Sequence, residues 1–187
     1  NTAPGVVWPT SGSYNANFSN TVAGAKTISM PATISVMPNS TIIGTTGYSF
    51  VPSATQTFSS PVTLTNLLTV APTTGTSFTM SGVLSGAGGI TQDGAGTTIL
   101  SANSTHTGTT TVTSGTLRLG ADGSGANTPL GTTGAGTTVS SGGVLDLNGF
   151  TLATAEALTL NGTGISSGGA LINSLGSAAT YSGTVAL

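Results

Sequence analysis

Seven side chains in this 187-residue sequence can hold a charge or move a proton near neutral pH: Asp93, Asp122, Asp146, Glu156, Lys26, Arg118 and His106. Cleaving a glycosidic bond would need two carboxylates facing each other across about 5–9 Å, and acid–base work in general needs tuned pairs. The four carboxylates are dispersed, so only successive coils of a repetitive fold could bring two together. Asp146 alternates with Leu145 and Leu147, which aims it out of a half-buried strand. The ordinary reading of all three aspartates is solvated surface. Gly88-Gly89-Ile90-Thr91-Gln92-Asp93 lacks the middle glycine of the G-G-x-G-x-D calcium repeat. Asp122-Gly123-Ser124-Gly125-Ala126-Asn127 offers oxygen donors but a single carboxylate, and a plain turn explains it. His106 is the one imidazole and cysteine is absent, so a transition-metal site and a thiol nucleophile both lack their ligands. No serine sits in a nucleophile elbow, and Gly162, Gly164 and Gly168 miss dinucleotide spacing. We expect no catalytic, cofactor or metal site, and no enzyme.

Two other kinds of residue remain. Sequons at Asn17, Asn39, Asn103 and Asn161 are candidate glycosylation sites, although such triplets arise by chance in a chain this rich in Ser and Thr. The aromatics Trp8, Tyr14, Phe18, Tyr48, Phe50, Phe58, Phe78, Phe150 and Tyr181 crowd toward the N-terminal third. They could form a sugar-binding platform. Covering the open N-terminal end of a repetitive core explains them more simply.

The background is nearly neutral. Charged residues are 3% of the chain, against ~25% in an ordinary soluble domain. A net charge of -2 gives no electrostatic footprint for nucleic acid or anionic lipid. Hydrophobic residues are 36% and mean hydropathy is +0.30, which argues against disorder. No run approaches the ~18 consecutive apolar residues of a membrane helix. The opening Asn1-Thr2-Ala3-Pro4, without Met, reads as a mature product or an excerpt.

The elements that must position these residues are short strands. Gly, Ser, Thr and Val disfavour helix, and the best helical stretch, 153–158, is brief. Alternation of apolar and polar residues marks Thr27-Ile28-Ser29-Met30, Thr33-Ile34-Ser35-Val36, Val62-Thr63-Leu64, Thr111-Val112-Thr113, Thr116-Leu117-Arg118-Leu119 and Val144-Leu145-Asp146-Leu147. The chain also repeats itself. Gly94-Ala95-Gly96-Thr97-Thr98 returns as Gly134-Ala135-Gly136-Thr137-Thr138, and Ser114-Gly115-Thr116-Leu117-Arg118-Leu119 is echoed by Ser141-Gly142-Gly143-Val144-Leu145-Asp146-Leu147. Steps of about 20–27 residues are solenoid steps. The reading is all-β: a right-handed parallel β-helix with glycine-rich corners and about eight coils at ~4.8 Å spacing. A narrow interior favours aliphatic residues and Thr, and large aromatics should stack there poorly. One β-helical domain is expected over 1–187, with 1–80 forming looser coils or a cap.

Within 81–187, Gly88-Gly89-Ile90-Thr91-Gln92-Asp93-Gly94-Ala95-Gly96-Thr97-Thr98-Ile99-Leu100, then Thr107-Gly108-Thr109-Thr110-Thr111-Val112, then Ser114-Gly115-Thr116-Leu117-Arg118-Leu119 resembles the passenger-associated repeat of bacterial autotransporters. Asp93 stands near the repeat's usual Lys, and His106 where an aromatic Tyr is usual. The resemblance implies a surface-displayed or secreted right-handed β-helix serving adhesion, self-association or a stalk. The repeat carries no catalytic residue.

The expected function is therefore a non-enzymatic structural protein, extracellular or on the bacterial cell surface. Its partners are other copies of itself, with glycans or cell surfaces as further candidates, and no nucleic acid. A polysaccharide-binding module and a carbohydrate-active enzyme are the alternatives. The final Thr180-Tyr181-Ser182-Gly183-Thr184-Val185-Ala186-Leu187 has no charge and no proline to block an open strand edge. Head-to-tail stacking should then use residues 1–30 and 170–187, with Trp8, Tyr14, Phe18, Tyr181, Val185 and Leu187 in the contact. With so few ionisable groups, stability should vary little between pH 5 and 9.

Overall fold

A computed structural model describes residues 48–154 and 156–187, together with the backbone of the strands Asn15–Phe18, Lys26–Met30 and Ser40–Ile43. Trp8, Tyr14, Asn39 and the expected strand at 33–36 lie outside the described residues. So do the side chains of Asn17 and Phe18, whose backbones form part of a strand.

Strands of two to five residues alternate with turns too short for anything but a stacked coil. One turn of the chain runs Val62–Leu64, Leu68–Val70, Ser77–Met80; the next runs Leu84–Ser85, Ile90–Gln92, Thr97–Leu100. Each strand pairs in parallel with its counterpart one turn away. The result is a three-sided parallel β-solenoid. Its longest sheet holds eight strands, from Lys26–Met30 to Val185–Ala186; a second side holds six, from Gln56–Phe58 to Leu171–Ile172; a third holds four, from Asn15–Phe18 to Leu84–Ser85. Among the described residues the six-stranded side counts six turns, against about eight expected, and the long sheet gains one strand at each end.

The period-2 alternation sorts the faces. In the long sheet, register stacks Tyr48, Leu68, Ile90, Thr110, Thr137 and Leu158 in one inward column and Phe50, Val70, Gln92, Val112, Val139 and Leu160 in the other. Between them an outward column of Ser49, Thr69, Thr91, Thr111, Thr138 and Thr159 runs along the surface at the ~4.8 Å strand spacing. On the six-stranded side the outward column is Thr57, Thr79, Ile99, Arg118, Asp146 and Ile172.

The interior differs from expectation in one respect. Phe50, Phe58 and Phe78 are fully buried and pack ring against ring, with centroids 5.9, 6.4 and 6.4 Å apart. They fill the core of successive turns and do not cap its end. They come from two facing sides of the coil, so tilted and edge-on contacts are open to them; direct stacking within one column is avoided. At the corners, glycine is required where coils touch. Gly115 has φ +65°, and a Cβ there would run into the carbonyl oxygens of Gly94 and Gly96. The buried Gln92 amide ties the same corner, donating to Gly94 O at 2.7 Å and Ser114 O at 3.2 Å.

Candidate functional site

The carboxylates do not form one site. Asp146 points outward from its strand, as its alternation requires, yet it is wholly covered, which corrects the solvated reading. Arg118 Nε, one turn before, donates to Oδ2 at 2.8 Å. Ser174, one turn after, donates its hydroxyl to Oδ2 at 2.6 Å and its N–H to Oδ1 at 3.0 Å. Asn148 N–H adds a bond to Oδ1 at 2.9 Å. Burial alone would raise this carboxyl's pKa. The bonds from Ser174, Arg118 and Asn148 outweigh it and hold the pKa below the usual carboxylate value. Asp146 thus staples three consecutive turns. Asp122 is exposed and accepts Thr151 N–H at 2.7 Å; Asp93 is exposed. Among the described residues no group of three His, Cys, Asp or Glu converges to hold a metal.

A second polar network lies inside. Beyond Leu84–Ser85 the third side loses its regular ladder. Ser104 Oγ accepts Leu84 N–H at 3.2 Å, and Ser104 N–H reaches Thr128 O at 2.9 Å. Thr128 belongs to a small antiparallel hairpin, Asn127–Thr128 against Gly131–Thr132. Here the inward column of the long sheet carries Thr110 and Thr137 in place of aliphatics. Thr110 gives its hydroxyl proton to Leu130 O at 2.6 Å and faces His106 Nε2 at 3.3 Å. Since that proton is committed, Thr110 accepts from His106, which assigns the hydrogen to Nε2. His106 Nδ1 is then a bare, buried acceptor without a partner. The ring is fully covered, and burial lowers its pKa from 6.5 to about 4. Gly131, at φ +113°, leaves the room: a Cβ there would sit 2.8 Å from Nε2.

Glu156 closes the same network. Thr128 Oγ1 donates to Oε2 and Thr137 Oγ1 to Oε1, both at 2.8 Å. Burial raises its pKa, and the two hydroxyls offset only part of that. The Tyr181 hydroxyl is buried without a partner. Its pKa is pushed upward first by burial and then by the charge of Glu156. These shifts would mark a reaction centre in an open cleft. Here His106 and Glu156 are both covered by the chain, and what the arrangement does is join neighbouring turns through buried hydrogen bonds. Sequence reasoning missed this network. One signal was available: His106 occupies a position where the resembled repeat carries an aromatic ring, a residue type that is usually buried.

The other candidates are scattered. Tyr181 is half-buried and packs against the core, opposite Leu152 in a parallel pair. Val185 is exposed on the last strand, and Leu187 is exposed beyond it. Asn161 is exposed; Asn103 is half-buried, with its Oδ1 covered and without a partner. Among the described residues every aromatic is buried or half-buried, so no exposed aromatic row forms. No helix among them is long and apolar enough to cross a membrane.

A closed solenoid with glycine corners and hydroxyl-lined outer columns defines a class of extended β-proteins. Comparison narrows it. Residues 90–119, four successive strands of two turns, match the family described as Passenger-associated-transport-repeat. The adhesin BmaC autotransporter of Brucella suis biovar 1 (strain 1330) is 38% identical over 88 residues, covering 41% of this chain and 3% of that protein. The chain therefore spans a small fraction of the length of the curated relative it matches. No solved structure matches it. The resemblance to autotransporter passenger repeats stands, and it indicates a cell-surface or extracellular protein.

Proposed function

We propose that the chain is a non-enzymatic extracellular building block that acts through its surface, folding as one domain over 1–187 and stacking end to end with further copies into a filament or adhesive assembly. The observation that carries this reading is the outer face of the long sheet, where Ser49, Thr69, Thr91, Thr111, Thr138 and Thr159 form an uncharged column along the solenoid. No charge in that column repels a second copy. Trp8, Tyr14, Phe18, Tyr181, Val185 and Leu187 are the proposed contact residues. The relative named an adhesin supports attachment to cell surfaces or their glycans. Asn17, Asn39, Asn103 and Asn161 are proposed as glycosylation positions, with Asn161 the most open of the described two.

Sedimentation across a concentration series, with electron microscopy of the same samples, tests the assembly. End-to-end filaments are expected, and Val185→Lys with Leu187→Lys should return single short rods. A chain that stays monomeric at every concentration refutes the proposal. A glycan-binding reading without assembly would be favoured if monomers bound polysaccharide through the Ser49–Thr159 column.

A further inference from the structure

The sequence contains two asparagine–glycine steps, Asn148-Gly149 and Asn161-Gly162. In such a step the glycine main-chain nitrogen, once deprotonated, can attack Cγ of the asparagine side chain. A C–N bond forms, the side-chain nitrogen leaves as ammonia, and a five-membered succinimide results. Water then opens the ring at either carbonyl, leaving aspartate or isoaspartate. The reaction needs a free glycine N–H, a side-chain amide free to turn, and no side chain on the attacking residue.

The fold treats the two steps oppositely. Asn148 is held on three sides. Its Nδ2 donates to Leu119 O at 3.1 Å, and its own N–H is bound to Asp146. The would-be nucleophile, Gly149 N, donates to Asn173 Oδ1 at 2.7 Å. Asn173 is itself fixed by a bond from Nδ2 to Ser177 O at 2.7 Å. Asn161 is tied only by its own N–H, to Val139 O at 2.8 Å. Its side chain and the Gly162 N–H have no hydrogen-bond partner among the described residues. Both residues are exposed, at the start of the exposed stretch 161–163. Gly162, at φ +113°, turns out of the strand direction in a conformation that favours glycine, and a Cβ there would meet Ser141.

We propose that Asn161 is a site of spontaneous deamidation, and that the Asp146–Asn148–Asn173 network protects Asn148 from the same reaction. The product adds one negative charge to a chain whose net charge is -2, two residues beyond Thr159, the partner of Ala186. It also removes the Asn161 sequon, so glycosylation and deamidation at this residue exclude each other.

The test ages the purified full chain at mildly alkaline pH and maps peptides by mass spectrometry, with an isoaspartyl methyltransferase to report the isoaspartyl form. In the folded chain Asn161 should convert at least about tenfold faster than Asn148, equivalent to about 1.4 kcal/mol of barrier. In urea, where neither amide is held, the two rates should converge. Asn173→Ala, which frees Gly149 N–H, should speed Asn148 and leave Asn161 unchanged. Equal rates in the folded chain would overturn the proposal. So would an Asn161 that stays intact in the fold while urea releases it, or an Asn173→Ala chain in which Asn148 is no faster.

Discussion

The turns over 48–100 and those over 104–158 share one path and one register but fill their interiors differently. The earlier turns hold Phe50, Phe58 and Phe78 in mutual contact, beside a continuous third-side ladder through Ser40–Ile43, Val62–Leu64 and Leu84–Ser85. In the later turns that ladder breaks. His106, Thr110, Thr128, Thr137 and Glu156, all fully buried, take over the joining of neighbouring turns through side-chain bonds. Apolar filling is non-directional and tolerates imperfect geometry. A buried polar network is stable only while its members are satisfied, and here His106 Nδ1 and the Tyr181 hydroxyl are not. The first region should therefore fail through cavities and the second through protons.

Cavities give the larger effect. Phe78 touches both other rings and is fully covered. Phe78→Ala should cost about 3–5 kcal/mol, read as a drop in urea midpoint. A loss below about 1 kcal/mol would mean that the aromatic stack is not what closes the earlier turns.

Acid should act on the later turns. His106 is held neutral, with its pKa lowered to about 4 from 6.5. Its contribution is fully present above pH 6.5 and is lost as pH falls through about 4. A shift of that size amounts to about 3 kcal/mol. Asp146 works in the same direction at lower pH, contributing above its unfolded value of 3.8 and failing as pH drops through its depressed folded pKa. Glu156 has the opposite sign: its raised pKa gives stability below 4.5 that is lost as pH rises through the folded value. Unfolding measured between pH 6.5 and 4 should show a declining acid limb. His106→Gln, which keeps a donor for Thr110 and cannot titrate, should flatten that limb. Glu156→Gln should steepen it by removing the opposing slope. An unchanged limb in His106→Gln would show that the imidazole is not buried neutral. Such a limb would replace the weak pH dependence expected from the small number of charges, because burial, rather than number, decides what each ionisable group contributes.

That contrast also marks how far the sequence could be read. Val62–Leu64 is a strand at its expected bounds, Thr116–Leu119 falls inside a strand, and the stretch expected over 144–147 overlaps the strand Gly143–Asp146, which ends one residue earlier, because alternation is a local signal written in adjacent residues. The glycine repeats and the solenoid class were legible for the same reason. Asp146 was read correctly as outward-facing and wrongly as solvated. Its cover, Ser174, arrives 28 residues later, and the length of that turn is not encoded around Asp146. Two of the three phenylalanine contacts, those of Phe50, cross from one side of the coil to another, so no period in the sequence announces them. Nothing in the residues around Glu156 announces the two threonine hydroxyls, each on a different strand, that converge on it.

The finest test of the comparison uses two neighbouring threonines. Thr110 and Thr111 lie in one strand, Thr110–Val112, and differ only in the face they present. Thr110 is fully buried. Its hydroxyl serves Leu130 O and the His106 ring together. Replacing it with valine keeps shape and strand preference but strands a carbonyl and an imidazole N–H in the core, a penalty of about 1–3 kcal/mol. Thr111 lies half-exposed in the outward column between Thr91 and Thr138. Water can replace any bond lost there, and valine favours a strand as much as threonine does. Thr111→Val should therefore stay within about 0.5 kcal/mol, while Thr110→Val alone also shifts the acid limb by disturbing His106. If the two variants unfold at the same urea concentration, the polar network is no more than a spectator to the packing around it. If Thr111→Val proves the more damaging, stability lies in the outer hydroxyl column, and the interior has been assigned too large a share.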